Sequence, residues 1–113
     1  MEKSLSRTLK LGIDIHSRNY RVAYMDDEAL SSIEQEMSPQ EFINWVKTHI
    51  TQGKKVYSCY EAGPFDCTLH LDLKSIGVYN RLIRYKNWEE EQKAEDKSKY
   101  SAAELLEITC ALA

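Results

Sequence analysis

Two carboxylates in this sequence stand where carboxylates are unfavourable. Asp14 lies inside the run Leu11-Gly12-Ile13-Asp14-Ile15-His16, and Glu61 directly follows Val56-Tyr57-Ser58-Cys59-Tyr60, with 46 residues between the two acids. Each sits within or at the end of an apolar, β-like run, and a charge buried there destabilises the fold unless it is paired or holds a metal. Two such acids at strand ends are the beginning of a divalent-metal site, and paired metals act on the phosphodiesters of nucleic acids. His16 could join them as a ligand, although a strand-end histidine serves as well on the surface. His49 and His70 recur at helical spacing from apolar residues and read as helix-boundary residues.

The elements that must position these acids can be read from periodicity. Leu9 to His16 is an apolar strand. Asn19 to Met25 alternates Tyr20, Val22 and Tyr24 against polar or small residues, as a half-buried strand does. Leu30 to Met37 is a weaker third strand. Ser38-Pro39-Gln40-Glu41 is a capping box with proline at the first helical position. It opens a helix with Phe42, Val46, His49 and Ile50 on one stripe, closed by Gly53. Lys55 to Tyr60 is a strand leading to Glu61, and Gly63-Pro64 starts a helix through Ile76 with Phe65, Leu69, Leu73 and Ile76 inward and Gly77 at its end. Val78 to Arg84 is a fifth strand, and Ser101 to Leu112 a last helix with Leu105, Ile108 and Leu112 in line. The expected fold is α/β: a mixed five-strand sheet, in the order β-β-β-α-β-α-β-α, with helices on its faces.

The totals fit one domain over residues 1–113, with residues 1–8 expected to be flexible. Hydrophobic residues make up 42% and charged residues 29%, which suits a globular core rather than a disordered chain. A net charge of −3 speaks against a dedicated nucleic-acid coat, because non-specific affinity comes from Lys and Arg on phosphates. It leaves room for a local basic face. No apolar run is long enough for a membrane span and nothing reads as a signal peptide, so a cytoplasmic location without membrane contact is expected. Cys59, Cys67 and Cys110 lack metal-type spacing and read as free thiols, packed as small hydrophobes.

The element order, with Asp in the first strand and Glu ending the fourth, is that of ribonuclease-H-like nucleases. The strings Gly-Ile-Asp-Ile-His (12–16), Tyr-Glu-Ala-Gly-Pro-Phe (60–65), the Leu69-His70 pair, Gly-Val-Tyr-Asn (77–80) and Asn-Trp-Glu-Glu (87–90) together resemble one branch of these. That branch is the N-terminal, RuvC-like domain of the Piv/MooV or DEDD-type transposases of bacterial insertion sequences, the bridge-RNA-guided kind. The resemblance spans about Leu9 to Leu106 and implies a domain of DNA transposition and recombination. It also implies two metals held by four carboxylates: Asp14, Glu61, and two Asp in a Lys-Thr-Asp-x-x-Asp-Ala string opening the last helix. Aligned without a gap from Asn87-Trp88, those two Asp fall on Ser98 and Ser101, with Ala102 matching the family alanine.

Losing both acids changes the chemistry. Cations about 3.5–4 Å apart need bridging carboxylates to offset their repulsion, and here two acids stand where four are needed. Mg²⁺ prefers anionic oxygen and sheds water reluctantly, so serine hydroxyls replace carboxylates poorly. Asp96 is about 200° round a helix from Ser98; Glu104 is on the right face but a turn too far. The resemblance therefore implies a degenerate centre that requires no cofactor and binds Mg²⁺ weakly through Asp14 and Glu61. The family's transposases continue into a C-terminal domain with a serine nucleophile; with the sequence ending at Ala113, recombination by this polypeptide alone is not expected.

Arg81, Arg84, Lys86 and Trp88 are the candidate nucleic-acid contacts, since aromatics among basic groups suit single strands by stacking and phosphate contact. Five acids between Glu89 and Asp96 dilute the segment toward a solvated mixed-charge face. Two functions stay open at this level. One is a catalytically inactive transposase-derived domain bound to DNA or guide RNA, regulating or interfering with a nucleic-acid-processing partner. The other is a co-opted protein-interaction module, such as a phage-type inhibitor, that keeps the fold without the chemistry. An oligomer is compatible with either.

Overall fold

Leu9, Leu11 and Ile13 alternate along the first strand and are almost wholly buried, whereas Lys10, Gly12 and Asp14 point to the opposite face. This pleat decides which side of the sheet receives which helix. The computed structural model describes residues 7–15, 19–26, 31–62, 68–84 and 100–112. Its strands are β1 (Thr8–Ile15), β2 (Tyr20–Asp26), β3 (Ile33–Met37), β4 (Lys55–Ala62) and β5 (Tyr79–Arg84), and its described helices α1 (Pro39–Thr51), α2 (Thr68–Ser75) and α3 (Ala102–Leu112). The protein is thus α/β, with one mixed sheet in the order β3-β2-β1-β4-β5. β2 runs antiparallel to both β1 and β3, while β1, β4 and β5 run parallel.

The odd-numbered face of β1 joins Val22, Val56 and Tyr60 against Phe42 and Val46 of α1 and Leu69 and Leu73 of α2. Burying each such side chain contributes about 1.5–3 kcal/mol. Aromatic edges reinforce the α1 side, with Tyr24 and Trp45 at 4.8 Å and Tyr20 and Phe42 at 5.5 Å between ring centroids. The capping box expected at α1 is present in full: Glu41 N donates to Ser38 Oγ at 3.1 Å and Ser38 N donates to Glu41 Oε1 at 2.9 Å. Gly53 and Gly77 follow α1 and α2 with φ of 92° and 101°, a backbone region that a side chain disfavours.

α3 departs from its expected stripe. Ala102, Leu105, Leu106 and Thr109 are buried, Ile108 is only half-buried, and Leu112 is 53% exposed. The observed face keeps helical spacing but replaces a leucine with a threonine. The replacement is favourable because the Thr109 hydroxyl reaches the main chain of β1, donating to Leu11 O at 2.7 Å. β3 begins at Ile33 rather than Leu30, and Ile33 is 54% exposed. The expected start of the second helix at Gly63-Pro64, with Phe65, lies outside the described residues. No described helix is long and apolar enough to cross a membrane.

Candidate functional site

β1 and β4 bring the two acids together. Their parallel register pairs Gly12 with Cys59 and Ile13 with Tyr60, so the next step along each strand sets Asp14 beside Glu61, at the roughly 4.8 Å spacing of neighbouring strands. Alternation assigns both to the face of Gly12 and Cys59, the face that α3 covers. Asp14 also lies opposite Arg21 of β2, and Arg21 Nε contacts Glu34 Oε1 of β3 at 3.0 Å. Both acids are half-buried.

The approach of α3 depends on Gly12. A Cβ built there would stand 2.5 Å from Ala102 O and 2.6 Å from Leu105 C, and nearer still to Leu106 N. Backbone therefore packs on backbone, and Ala23, aligned with Gly12 on β2, continues the small-residue floor beneath Ala102 and Leu106. A strand-interior glycine commonly marks such a close approach. Gly12 within Leu-Gly-Ile-Asp is the sequence signal of this approach, one that hydrophobic periodicity does not register.

Closely seated, α3 directs its entry at the carboxylates. Tyr100 N donates to Glu61 Oε1 at 3.0 Å. One residue on, Ser101 caps the helix reciprocally: Glu104 N donates to Ser101 Oγ at 3.1 Å and Ser101 N to Glu104 Oε1 at 2.8 Å. This is a second capping box. It assigns Ser101 a local role and occupies Glu104 at the helix end. Ser101 is thus the residue before the helix, and Ser98 lies outside the described residues.

Beneath the helix, Cys59 Sγ donates to Leu105 O at 3.1 Å, and Thr109 Oγ1 lies 3.2 Å from the same sulfur. Burial pushes the Cys59 thiol up, and the Thr109 hydroxyl and Arg81 offset this only in part. The thiol serves as packing with a hydrogen bond, as expected for Cys59. Cys110 is half-buried, and Cys67 lies outside the described residues.

Of the expected nucleic-acid contacts, Arg81 is exposed on β5 in register with Cys59, and Arg84 ends β5 in register with Ala62. Lys86 and Trp88 lie outside the described residues, as does His16. The boundary histidines behave as such. His49 Nδ1 lies 2.9 Å from Lys54 Nζ, and His70 Nδ1 lies 2.8 Å from Asn80 Nδ2. Burial first, and Lys54 next, hold His49 below the usual histidine range. Among the described residues, no three His, Cys, Asp or Glu side chains are grouped to hold a metal ion. The chain matches no protein-family model, and no curated protein matches it.

Proposed function

We propose that this chain is a ribonuclease-H-like domain derived from the transposase family it resembles, associated with nucleic acid and without strand-cleaving chemistry of its own. The observation that carries this is the meeting of Asp14 and Glu61 at the ends of two parallel strands, beneath the entry to α3. The resemblance requires these two acids to share one site, although they are far apart in sequence. Ser101, aligned with the fourth acid of that family, serves as a helix cap here, so its hydroxyl already has a partner.

Two carboxylates bind one hydrated Mg²⁺ weakly and do not offset the repulsion of two cations. Such a domain can occupy a nucleic acid, or compete with an intact relative for it, without cutting it.

The test restores the acids as Ser98→Asp with Ser101→Asp. Aspartate is a good N-cap, so the α3 cap is retained. The wild-type protein is expected to cleave neither DNA nor RNA with Mg²⁺ or Mn²⁺. Melting of the double variant should rise with added metal, by about 2.7 kcal/mol of stability when metal is about 100-fold above its Kd. A double variant whose melting ignores metal would show that Ser98 and Ser101 are not the family positions. If the wild-type protein binds no DNA or RNA at low salt, nucleic-acid association falls, and a protein-interaction module takes its place.

A further inference from the structure

Away from the carboxylate pair, toward the amino-terminal ends of β4 and β5, the surface opens into a cleft of about 320 Å³ walled also by α2 and α3. Tyr57 is four residues before Glu61, about 13 Å along the strand, so this is a separate place on the same sheet. We propose that the cleft takes one unpaired base and the adjoining phosphate of a single-stranded nucleic acid. The proposal rests on the nucleic-acid association above and names the strand type and the surface that receives it.

Its first element is an aromatic platform. Tyr57 and Tyr79 are cross-strand partners, their rings stack at 5.0 Å with 22° between planes, and Tyr79 is 60% exposed. A ring already held by a stacked neighbour offers a base a surface with little ordering left to do. The second element is charge. Arg81, two residues along the same strand, and Lys74 of α2 line the cleft, both exposed, and neither forms an ion pair with a described residue. No described Asp or Glu lines it, although the whole chain has 18 acidic residues against 15 basic. The local sign is therefore opposite to the net charge, which favours an anion carrying an aromatic group.

The third element is a brace on the opposite face of the sheet, beneath α2, that fixes the strand edge carrying Tyr79. The Ser58 hydroxyl, buried, donates to Asn80 Oδ1 at 2.6 Å, and Asn80 Nδ2 meets His70 Nδ1 at 2.8 Å. His70 N donates to the Tyr60 hydroxyl at 2.8 Å, anchoring α2 to the sheet. These bonds hold β4, β5 and α2 together before any ligand arrives, and the cleft volume is at the lower end of the roughly 300–1,000 Å³ usual for small-ligand sites. A duplex keeps its bases stacked on each other and cannot present one to Tyr79 without unpairing it.

The test is fluorescence anisotropy of the full chain with labelled oligodeoxythymidylate, labelled oligouridylate and a labelled blunt DNA duplex, across a KCl series. One or both single strands should bind more tightly than the duplex. Tyr79→Ala should weaken that binding about 5- to 150-fold with the salt slope unchanged, and Tyr79→Phe should retain it. Arg81→Gln should lower the log–log salt slope by about 0.7. Both substitutions are at exposed positions, and circular dichroism checks that the fold persists. Single-strand binding that neither Tyr79→Ala nor Arg81→Gln alters, or tighter binding of the duplex, would overturn the cleft while leaving nucleic-acid association standing. If the wild-type chain binds none of the three probes at low salt, both proposals fall, and a protein ligand for the tyrosine face becomes the reading.

Discussion

Gly12→Ala is the most direct probe of how α3 reaches the carboxylates. The added methyl would meet the backbone of Ala102, Leu105 and Leu106, all closer than 3.0 Å. No side chain can rotate aside to relieve this. Either β1 and α3 separate locally, at the roughly 1–3 kcal/mol or more of an overpacked core, or α3 lifts off. Lifting would expose Leu105 and Leu106, about 3–6 kcal/mol of burial, and would break the bond from Thr109 Oγ1 to Leu11 O. Alanine returns about 0.4–1 kcal/mol through the less flexible unfolded chain. The expected net loss is about 3 kcal/mol. Unfolding entropy for a chain of this length sets about 4 °C of melting temperature per kcal/mol, so the midpoint should fall by about 12 °C. Gly53→Ala is the control: its Cβ meets nothing within 4 Å, and only its φ of 92° opposes a side chain, a strain of about 1–2 kcal/mol. Urea and thermal unfolding of both variants decide the matter. A Gly12→Ala protein as stable as Gly53→Ala would refute backbone-on-backbone seating of α3.

Three further outcomes follow from other contacts. Ser101→Ala should lose about 0.5–2 kcal/mol by urea unfolding, while Ser101→Asp should stay close to wild type, because aspartate also caps. His49 is held below its ordinary 6.5 by burial and by Lys54, so the unfolded chain binds its proton first as pH falls. Stability should therefore decline as pH drops below about 6.5 and be fully present above it, and His49→Gln should flatten that acid limb of the urea midpoint. In a Cys67→Ser, Cys110→Ser background, Cys59 should react slowly with a thiol reagent at pH about 8 and quickly once urea unfolds the chain, since burial disfavours its thiolate; fast native labelling would place Cys59 outside the core.

Much of the fold was legible because its signals are local. The capping box at Ser38 to Glu41, the alternation of Leu9, Leu11 and Ile13, and the glycines after α1 and α2 each act over a few residues, where sterics and hydrogen bonding depend little on context. The two acids were legible for a related reason: a carboxylate in an apolar run conflicts with its neighbours, and the conflict shows in the letters. The face of α3 was not legible from hydrophobicity. Thr109 is buried against Leu11 O, and Leu112 is exposed beside the cleft at Tyr57 and Tyr79, and both facts belong to the partner elements.

The sequence by itself determined that Asp14 would lie in a strand and Glu61 directly after one, that Ser38 would start a helix, and that the chain would alternate helix and strand after its third strand; β4 in fact runs on through Glu61 to Ala62. Only the tertiary structure decided that β1 and β4 are neighbours, that Glu61 receives Tyr100 N, and that Ser101 is a cap with Glu104 as its partner. Likewise, Tyr57 and Tyr79 are unremarkable letters until parallel pairing stacks them. The physical reason is range. Propensity and capping are set within about one turn of chain, whereas which strand lies beside which is fixed by long-range burial, whose energy depends on area and is blind to sequence separation.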